Sequence, residues 1–190
     1  MKIVAGVDEV GRGSLIGPVY AAAVILNKSI DKKILRDSKK LSKSRRETLA
    51  KYIKKNSLWA IGKASVKEIE KINILNASLL AMKRAIIRLK KKPSLVLIDG
   101  NKSPKIKNYE FNCIVKGDQK FMSIAAASII AKTYRDDYMK KIDLEHPEYN
   151  WKSNKGYPTL EHRSSLVKYG LTKYHRKSFQ LVNNQLNIDF

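Results

Sequence analysis

The sequence predicts a single α/β domain whose sheet is antiparallel at its start and parallel further along the chain. Two apolar segments, residues 3–8 and 19–26, lie close enough in the chain to pair as antiparallel strands. Beyond residue 42 helical and strand patterns alternate, which favours parallel pairing through helical crossovers. The length of 190 residues suits one domain, and an apolar content of 43% is that of a globular protein.

The first elements follow from local patterns. The strand over 3–8 runs into a polar, glycine-rich loop over 9–17, and 19–26 is the second strand. Ser42 is the expected N-cap of a helix, and 58–66 is the expected third strand. An apolar stripe from Leu75 to Leu89, with spacings of three and four, indicates an amphipathic helix packed on the core.

Two short strands and a long helix complete the domain. The apolar runs 95–98 and 111–115 both end in turn signals. A helix fits residues 121–144, where alanines at 125, 126, 127 and 131 allow a close approach to the sheet, and another helix starts near Thr159. The last twenty residues are polar and lack periodicity, as in a tail. We therefore expect a domain over 1–180 and a tail over 181–190.

The charge of the chain points to a polyanionic partner. Its 39 basic and 17 acidic residues give a net charge of +22, an excess that a solvated surface does not need. The single cysteine, Cys113, excludes an internal disulfide framework and a four-thiolate zinc site. No apolar run approaches the roughly 18 residues of a membrane span, and the start does not resemble a signal peptide. We expect a cytoplasmic monomer that meets nucleic acid and no membrane.

Four carboxylates stand where apolar strands end. Asp8 and Glu9 follow the first strand, Asp99 ends the fourth and Asp118 follows the fifth. Ligand sites in open α/β sheets gather at such ends, and four converging acids need cations to offset their repulsion. Oxygen-only ligands select Mg²⁺ or Mn²⁺, and two such ions about 4 Å apart suit in-line displacement at a phosphodiester. Any one of these acids could instead be a turn residue or helix cap.

Seven segments match a known family in order: Ala5 to Gly13 (Ala-Gly-Val-Asp-Glu-Val-Gly-Arg-Gly), 37–42, 97–101, 116–118, 123–132, 155–159 and 175–179. In this series the chain resembles the type 2 ribonuclease H, or ribonuclease HII, family over nearly its whole length. The resemblance implies a ribonuclease H-like fold, a five-stranded mixed sheet flanked by helices with a helical C-terminal portion. Two positions depart from the family's usual pattern: Ser14 replaces a proline, and Ile16 replaces a small residue.

The resemblance also implies an activity. It is the endonucleolytic hydrolysis of the RNA strand of RNA/DNA hybrids and the incision of duplex DNA 5′ of an embedded ribonucleotide, leaving a 3′-hydroxyl and a 5′-phosphate. Asp8, Glu9, Asp99 and Asp118 then bind the metal ions. Two other interpretations of the sequence are possible. The protein could be a non-catalytic basic nucleic-acid-binding protein, or another metal-dependent nuclease of the same broad fold, such as a 3′→5′ exonuclease.

Recognition of a ribonucleotide requires close contact with its 2′-hydroxyl. Glycines let backbone groups approach the sugar, so the segment Gly11, Arg12 and Gly13 suits this role. The resemblance implies the same role. The alternative is that these residues only form a tight turn between two strands. For Tyr157 the resemblance implies a ring set against the next sugar, where a 2′-hydroxyl would clash. The alternative for Tyr157 is a half-buried residue ahead of a helix.

Basic residues supply the expected phosphate contacts. Residues 28–55 hold twelve Lys/Arg against three acids, and although such a run is often a solvated face, its hydroxyl and cationic donors suit phosphates. Ser128 and Lys132 share one helical face, and Asp136 is expected to pair with Lys132. The selected contacts are Ser38, Lys39, Lys40, Arg45, Ser128 and Lys132.

The remaining candidates are minor. We expect surface or hydrogen-bonding roles for His146, His162 and His175, because they lack metal-ligand spacing, and a core position for Cys113. The C-terminal residues Gln185–Phe190 resemble the short glutamine–aliphatic–aromatic peptides by which DNA-processing proteins bind sliding clamps, and a frayed tail is the alternative.

Overall fold

A computed structural model describes residues 2–27, 30, 35 and 43–181. Five strands form one mixed sheet in the order β3-β2-β1-β4-β5. Strand β1 (Val4–Val10) pairs antiparallel with β2 (Val19–Leu26) and parallel with β4 (Leu95–Asp99). Strand β3 (Ser57–Ala64) extends the antiparallel side, and β5 (Glu110–Ile114) extends the parallel side. The predicted change from antiparallel to parallel pairing is confirmed.

Two helical layers cover the two faces of this sheet. Helix α2 (Val66–Ile87) packs its buried side against one face, where Val7, Ala21 and Val96 belong to the same cluster. Helices α1 (Lys43–Asn56) and α4 (Met122–Asp143) cover the other face around Ala22 and Val24. The alternation of side chains along a strand therefore sends even and odd residues of β2 into different cores.

Helix α4 lies unusually close to β1, as its alanines predict. A Cβ placed on Gly6 would lie 2.1 Å from the backbone carbonyl carbon of Ser123, so only glycine fits at that crossing. Ala125, Ala126, Ala127 and Ala131 are all buried on the sheet side of α4. This contact places the first half of α4 directly beside the end of β1.

Two predicted boundaries differ from the structure for local reasons. Strand β3 ends at Ala64 because Ser65 is an N-cap, exchanging hydrogen bonds with Glu68 in a capping box. Helix α2 is interrupted at Asn73, whose φ of 63° is not helical, and the Asn73 side chain then accepts a hydrogen bond from the Asn76 N–H. Cys113 lies on the edge strand β5 and packs, partly buried, against the core cluster on the α2 side of the sheet.

The C-terminal portion is helical, as expected, and forms its own cluster. A short helix α3 (Gly117–Lys120) follows β5, and a 3₁₀ turn (Pro147–Tyr149), α5 (Trp151–Asn154) and α6 (Leu160–Tyr169) follow α4. Thr159 caps α6 by accepting a hydrogen bond from the His162 N–H, which confirms the predicted start. Trp151, Tyr149 and Leu166 pack here against Leu15 and Ile16 of the loop after β1.

Residues 171–181 are not a loose tail. His175 forms a β-bridge with Ile16, and the Arg176 side chain is fully buried. The Arg163 guanidinium donates a hydrogen bond to the Leu181 carbonyl at 2.7 Å. The expectation of a tail over the last twenty residues is therefore wrong up to Leu181, because these buried contacts are made with distant parts of the chain. Among the residues described, no helix combines the length and apolar character needed to cross a bilayer.

Candidate active site

The strand order brings the ends of β1, β4 and β5 to one edge of the sheet. Because Val7 is aligned with Ile98, Asp8 and Asp99 follow at neighbouring strand ends. Asp99 is in turn aligned with Ile114 of β5, and its Oδ1 accepts a hydrogen bond from the Gly117 N–H at 2.7 Å. Asp118 is the next residue, in the first turn of α3. The structure thus brings Asp8, Glu9 and Asp99 to neighbouring strand ends and places Asp118 just beyond the end of β5.

Asp8 is the most buried of these carboxylates. It is 6% exposed, and its pKa is raised from 3.8 to about 7, mainly by burial and in smaller part by the neighbouring Glu9 and Asp99. Lys132 and the Ser128 hydroxyl act in the opposite direction. The Ser128 hydroxyl is itself buried, and no atom of the described chain is placed well enough to form a complete hydrogen bond with it. An anionic Asp8 is therefore poorly compensated by the protein alone.

Glu9 has a different environment, because it pairs with an exposed cation, Arg12. Its Oε1 accepts a hydrogen bond at 3.3 Å from Arg12, whose side chain is 50% exposed. Burial raises the pKa of Glu9 despite this pairing, and Asp99 adds to the rise. Two adjacent carboxyl groups are thus held in conditions that disfavour their ionised forms.

The donor set fits a hard divalent cation. A cation at this edge would offset the desolvation and mutual repulsion of Asp8, Glu9 and Asp99, and all available ligands are oxygens. Within the described ranges, no three acidic, histidine or cysteine side chains already stand in a metal-holding arrangement. Asp99 and Glu9 each face a protein donor instead, the Gly117 N–H and Arg12 respectively.

The predicted ribose-reading elements lie side by side. Gly11 has a φ of +92°, which a residue with a side chain rarely adopts. Gly13 approaches Tyr157, since a Cβ on Gly13 would lie 3.9 Å from Cε1 of that ring. The Leu15 N–H donates to the Gly156 carbonyl at 2.8 Å, which joins the glycine loop to the segment that carries Tyr157. The Tyr157 side chain is 38% exposed, so it is available to a ligand.

The predicted phosphate contacts are only partly described. Ser38, Lys39 and Lys40 lie outside the described residues. Arg45 is exposed on the first turn of α1, and Lys132 lies near Asp8. Ser128 is 5% exposed and faces Asp8, so it belongs to the carboxylate site and not to the open surface.

The predicted pairing of Asp136 with Lys132 is wrong. Asp136 accepts a hydrogen bond at 2.7 Å from Arg46 of α1, while Lys132 is oriented towards Asp8. The two residues are four apart and share one face of α4, but the guanidinium of Arg46 reaches Asp136 from α1. Asp136 is outside the group formed by the four acids.

All three histidines of the chain lie in the C-terminal portion, and two of them are buried. The His162 Nδ1–H donates to the Tyr157 carbonyl at 3.0 Å, while its Nε2 accepts from the Trp151 indole at 3.0 Å. His175 Nδ1 accepts from the Thr172 N–H at 2.9 Å. The hydrogen-bonding role is confirmed, whereas a surface position is wrong for His162 and His175, which are 0% and 2% exposed.

Sequence reasoning missed two buried arginines beneath the glycine loop. Arg176 donates to the carbonyls of Gly17 and Arg12, both at 2.9 Å. Arg135 donates to the Ser14 hydroxyl at 2.6 Å. The available signal was weak: Arg135 follows an alanine- and isoleucine-rich stretch of α4 whose other members face the core.

Comparison with known proteins agrees with this geometry. The family model described as Ribonuclease HII matches residues 5–182. A ribonuclease HII of Pelagibacter ubique is 67% identical over 186 residues, covering 98% of this chain and all of that protein. Among solved structures, the ribonuclease H2 of Pyrococcus horikoshii is 26% identical with a TM-score of 0.78, covering 95% of each chain.

A second solved structure has the same fold. The ribonuclease HII of Archaeoglobus fulgidus, solved in a complex with PCNA, is 24% identical with a TM-score of 0.73 and covers 97% of this chain and 98% of its own. The five-stranded mixed sheet with flanking helices is common to these structures and this one. The match to the family model and the high identity together settle the classification. The chain belongs to the ribonuclease HII family, the divalent-metal-dependent endonucleases that act on the RNA strand of RNA/DNA hybrids.

Proposed function

We propose that Asp8, Glu9, Asp99 and Asp118 are the catalytic carboxylates and that they hold two divalent ions, Mg²⁺ or Mn²⁺. The observation that carries this proposal is the buried Asp8, with its pKa raised to about 7 beside two further carboxylates at strand ends. Such an arrangement is stable in its ionised form when cations are present. Bound ions supply an activated water and stabilise the leaving oxygen of the phosphodiester.

The protein's own part is to orient the ligands and the substrate. The Asp99 carboxylate is oriented by the Gly117 N–H, and the Asp8 Oδ1 accepts from the Glu9 N–H at 2.7 Å. Both donors are backbone N–H groups, one in β1 and one at the start of α3 just after β5, so the backbone itself positions the carboxylates. Lys132, near Asp8, adds positive potential where a scissile phosphate would lie.

We assign recognition of the ribonucleotide to Gly11, Arg12 and Gly13, with Tyr157 against the following sugar. The exposed ring of Tyr157 and the bare Cα of Gly13 leave room for a sugar and for backbone groups to approach it. This supports a preference for ribose followed by deoxyribose, because a 2′-hydroxyl on the second sugar would meet the ring. The substrate proposed on this basis is duplex DNA with an embedded ribonucleotide as well as the RNA/DNA hybrid.

Phosphate contacts are assigned to basic and hydroxyl side chains around the site. Lys132 and the exposed Arg45 lie on helices that cover the same face of the sheet as Asp8. The net charge of +22 supports binding of a polyanion along this surface. The full set is Ser38, Lys39, Lys40, Arg45 and Lys132, while Ser128 is assigned to the carboxylate site beside Asp8.

The test is cleavage of an end-blocked DNA duplex that contains one ribonucleotide, with Mg²⁺, Mn²⁺ or EDTA. A single metal-dependent cut 5′ of the ribonucleotide is expected, and Asp8→Asn should abolish it. Asp143→Asn is the matched control, because Asp143 is a buried carboxylate that binds Lys152 away from the site. Tight binding without cutting in either metal would refute the catalytic assignment, and cutting that needs a free end would indicate an exonuclease.

We further propose that Gln185–Phe190 binds a sliding clamp, that the enzyme is a monomer and that it is cytoplasmic. The clamp-binding pattern of the tail, which lies outside the described residues, supports the first point; the Archaeoglobus fulgidus enzyme was solved with PCNA. Unchanged affinity for a purified clamp after deletion of 185–190 would overturn it. Sedimentation that gives a mass above 21.6 kDa would refute the monomer.

A further inference from the structure

Helix α4 carries a buried arginine that the proposed chemistry does not use. Arg135 is 1% exposed, and no carboxylate in the described part of the chain lies within ion-pair distance of it. Its Nε is buried without a hydrogen-bond partner there. A buried, unpaired guanidinium is strongly unfavourable. Its position therefore calls for an explanation other than the stability of the helix.

Two contacts of Arg135 are made with the proposed ribose-reading elements. Its guanidinium lies 5.4 Å from the ring centroid of Tyr157, within the range of a cation–π interaction. Its Nε and Cδ pack against Gly11 so closely that a Cβ on Gly11 would lie 2.4 Å from Nε. One side chain therefore contacts both the glycine loop and the Tyr157 ring, which are about 145 residues apart in sequence.

Ser14 completes this link. Its Oγ accepts a hydrogen bond from Arg135 at 2.6 Å and lies 2.9 Å from the carbonyl of Gly156, to which it donates. Gly156 immediately precedes Tyr157. The family resemblance places a proline at this position, and a proline has no hydroxyl. The serine thus provides a connection from the glycine loop through Arg135 to Tyr157 that proline could not make.

We propose that Arg135 is a positioning residue that acts together with Ser14. It fixes the position of the Tyr157 ring relative to the glycine loop, and so determines how strongly the enzyme prefers a deoxyribose as the sugar that follows the ribonucleotide. This rests on the recognition role proposed above for Tyr157. The guanidinium does not touch the reacting atoms. It acts by holding the two recognition elements at one separation, because it packs against both.

The test compares kcat/KM for two end-blocked duplexes, one with a single embedded ribonucleotide and one with a run of ribonucleotides. Ser14→Ala and Arg135→Lys should lower the preference for the single ribonucleotide by about tenfold, since small misplacements of positioning groups have effects of this size. The loss should appear mainly in kcat, because the phosphate contacts that govern KM are unchanged. In a Tyr157→Ala background, Ser14→Ala should produce no further change in the ratio.

Ser78→Ala is the matched control. Ser78 is a buried serine of α2, on the far face of the sheet, whose hydroxyl donates to the Ile74 carbonyl at 2.8 Å. Its loss should lower stability and leave the substrate ratio unchanged. Ratios within twofold of wild type for Ser14→Ala, or additive effects with Tyr157→Ala, would overturn the inference. If the wild-type enzyme cuts neither duplex, the proposed function itself has failed, and if it cuts both, the ratio decides this inference alone.

Discussion

Replacement of Gly11 by alanine tests the packing beneath the recognition loop. Gly11 has a φ of +92°, and an added Cβ would lie 2.4 Å from Nε and 2.8 Å from Cδ of the buried Arg135. The positive φ alone costs about 1–2 kcal/mol in a residue with a Cβ. The contact is also about 1 Å too short, and such overpacking costs a further 1–3 kcal/mol or so. We therefore expect Gly11→Ala to lower the free energy of unfolding by about 2–5 kcal/mol.

Gly170→Ala separates these two contributions. Gly170 also has a positive φ, +79°, but nothing lies within 4 Å of a Cβ added there. This variant should lose only the backbone part, about 1–3 kcal/mol, because a φ of +79° with a ψ of −160° lies in a region that essentially only glycine adopts. Urea unfolding followed by tryptophan fluorescence and circular dichroism would measure both variants. Equal destabilisation would refute the claim that Arg135 is packed against the loop.

Three further predictions concern the site, the histidines and the crossing of α4 over β1. In EDTA at pH 8, Asp8→Asn should raise the free energy of unfolding by up to about 4 kcal/mol, because the folded pKa of about 7 exceeds the ordinary aspartate pKa of 3.8 and an ionised Asp8 is therefore destabilising. The absence of a gain in urea melts would contradict this. The same variant isolates the effect of His175, because Asp8, which would change stability in the opposite direction, no longer titrates. As the pH drops from about 6.5 to 4, the free energy of unfolding should fall by on the order of 3 kcal/mol. The reason is that burial lowers the folded pKa of His175 to about 4, so only the unfolded chain takes up the proton in this range. His175→Gln should flatten this pH profile, and an unchanged slope would exclude His175 as its source. Gly6→Ala should prevent stable folding, since its Cβ would meet the Ser123 backbone at 2.1 Å, and a native circular dichroism melt would refute the close approach.

Much of the architecture could be predicted because it depends on local patterns. The bounds of β2 agree with the predicted 19–26, and the alanines of α4 indicated the close approach that Gly6 permits. The gathering of Asp8, Asp99 and Asp118 also followed from position in the chain, since each stands at the end of an apolar strand. The end of β3 was missed although the capping box of Ser65 and Glu68 is visible in the sequence.

The contacts that surround the site could not be predicted, because they join residues far apart in the chain. Ser14 meets Arg135 and Gly156 across 121 and 142 residues, and no periodicity in the sequence encodes which helix turn will face which loop. The same reason explains why Asp136 pairs with Arg46 and not with Lys132.

Patterns along the chain thus established which elements form and which acids end the strands, since hydrophobic periodicity and strand ends are local properties. Packing established the electrostatics of the acids and the partners of the buried arginines and histidines. These depend on desolvation and on neighbours that exist only after the sheet, α4 and the C-terminal portion have come together.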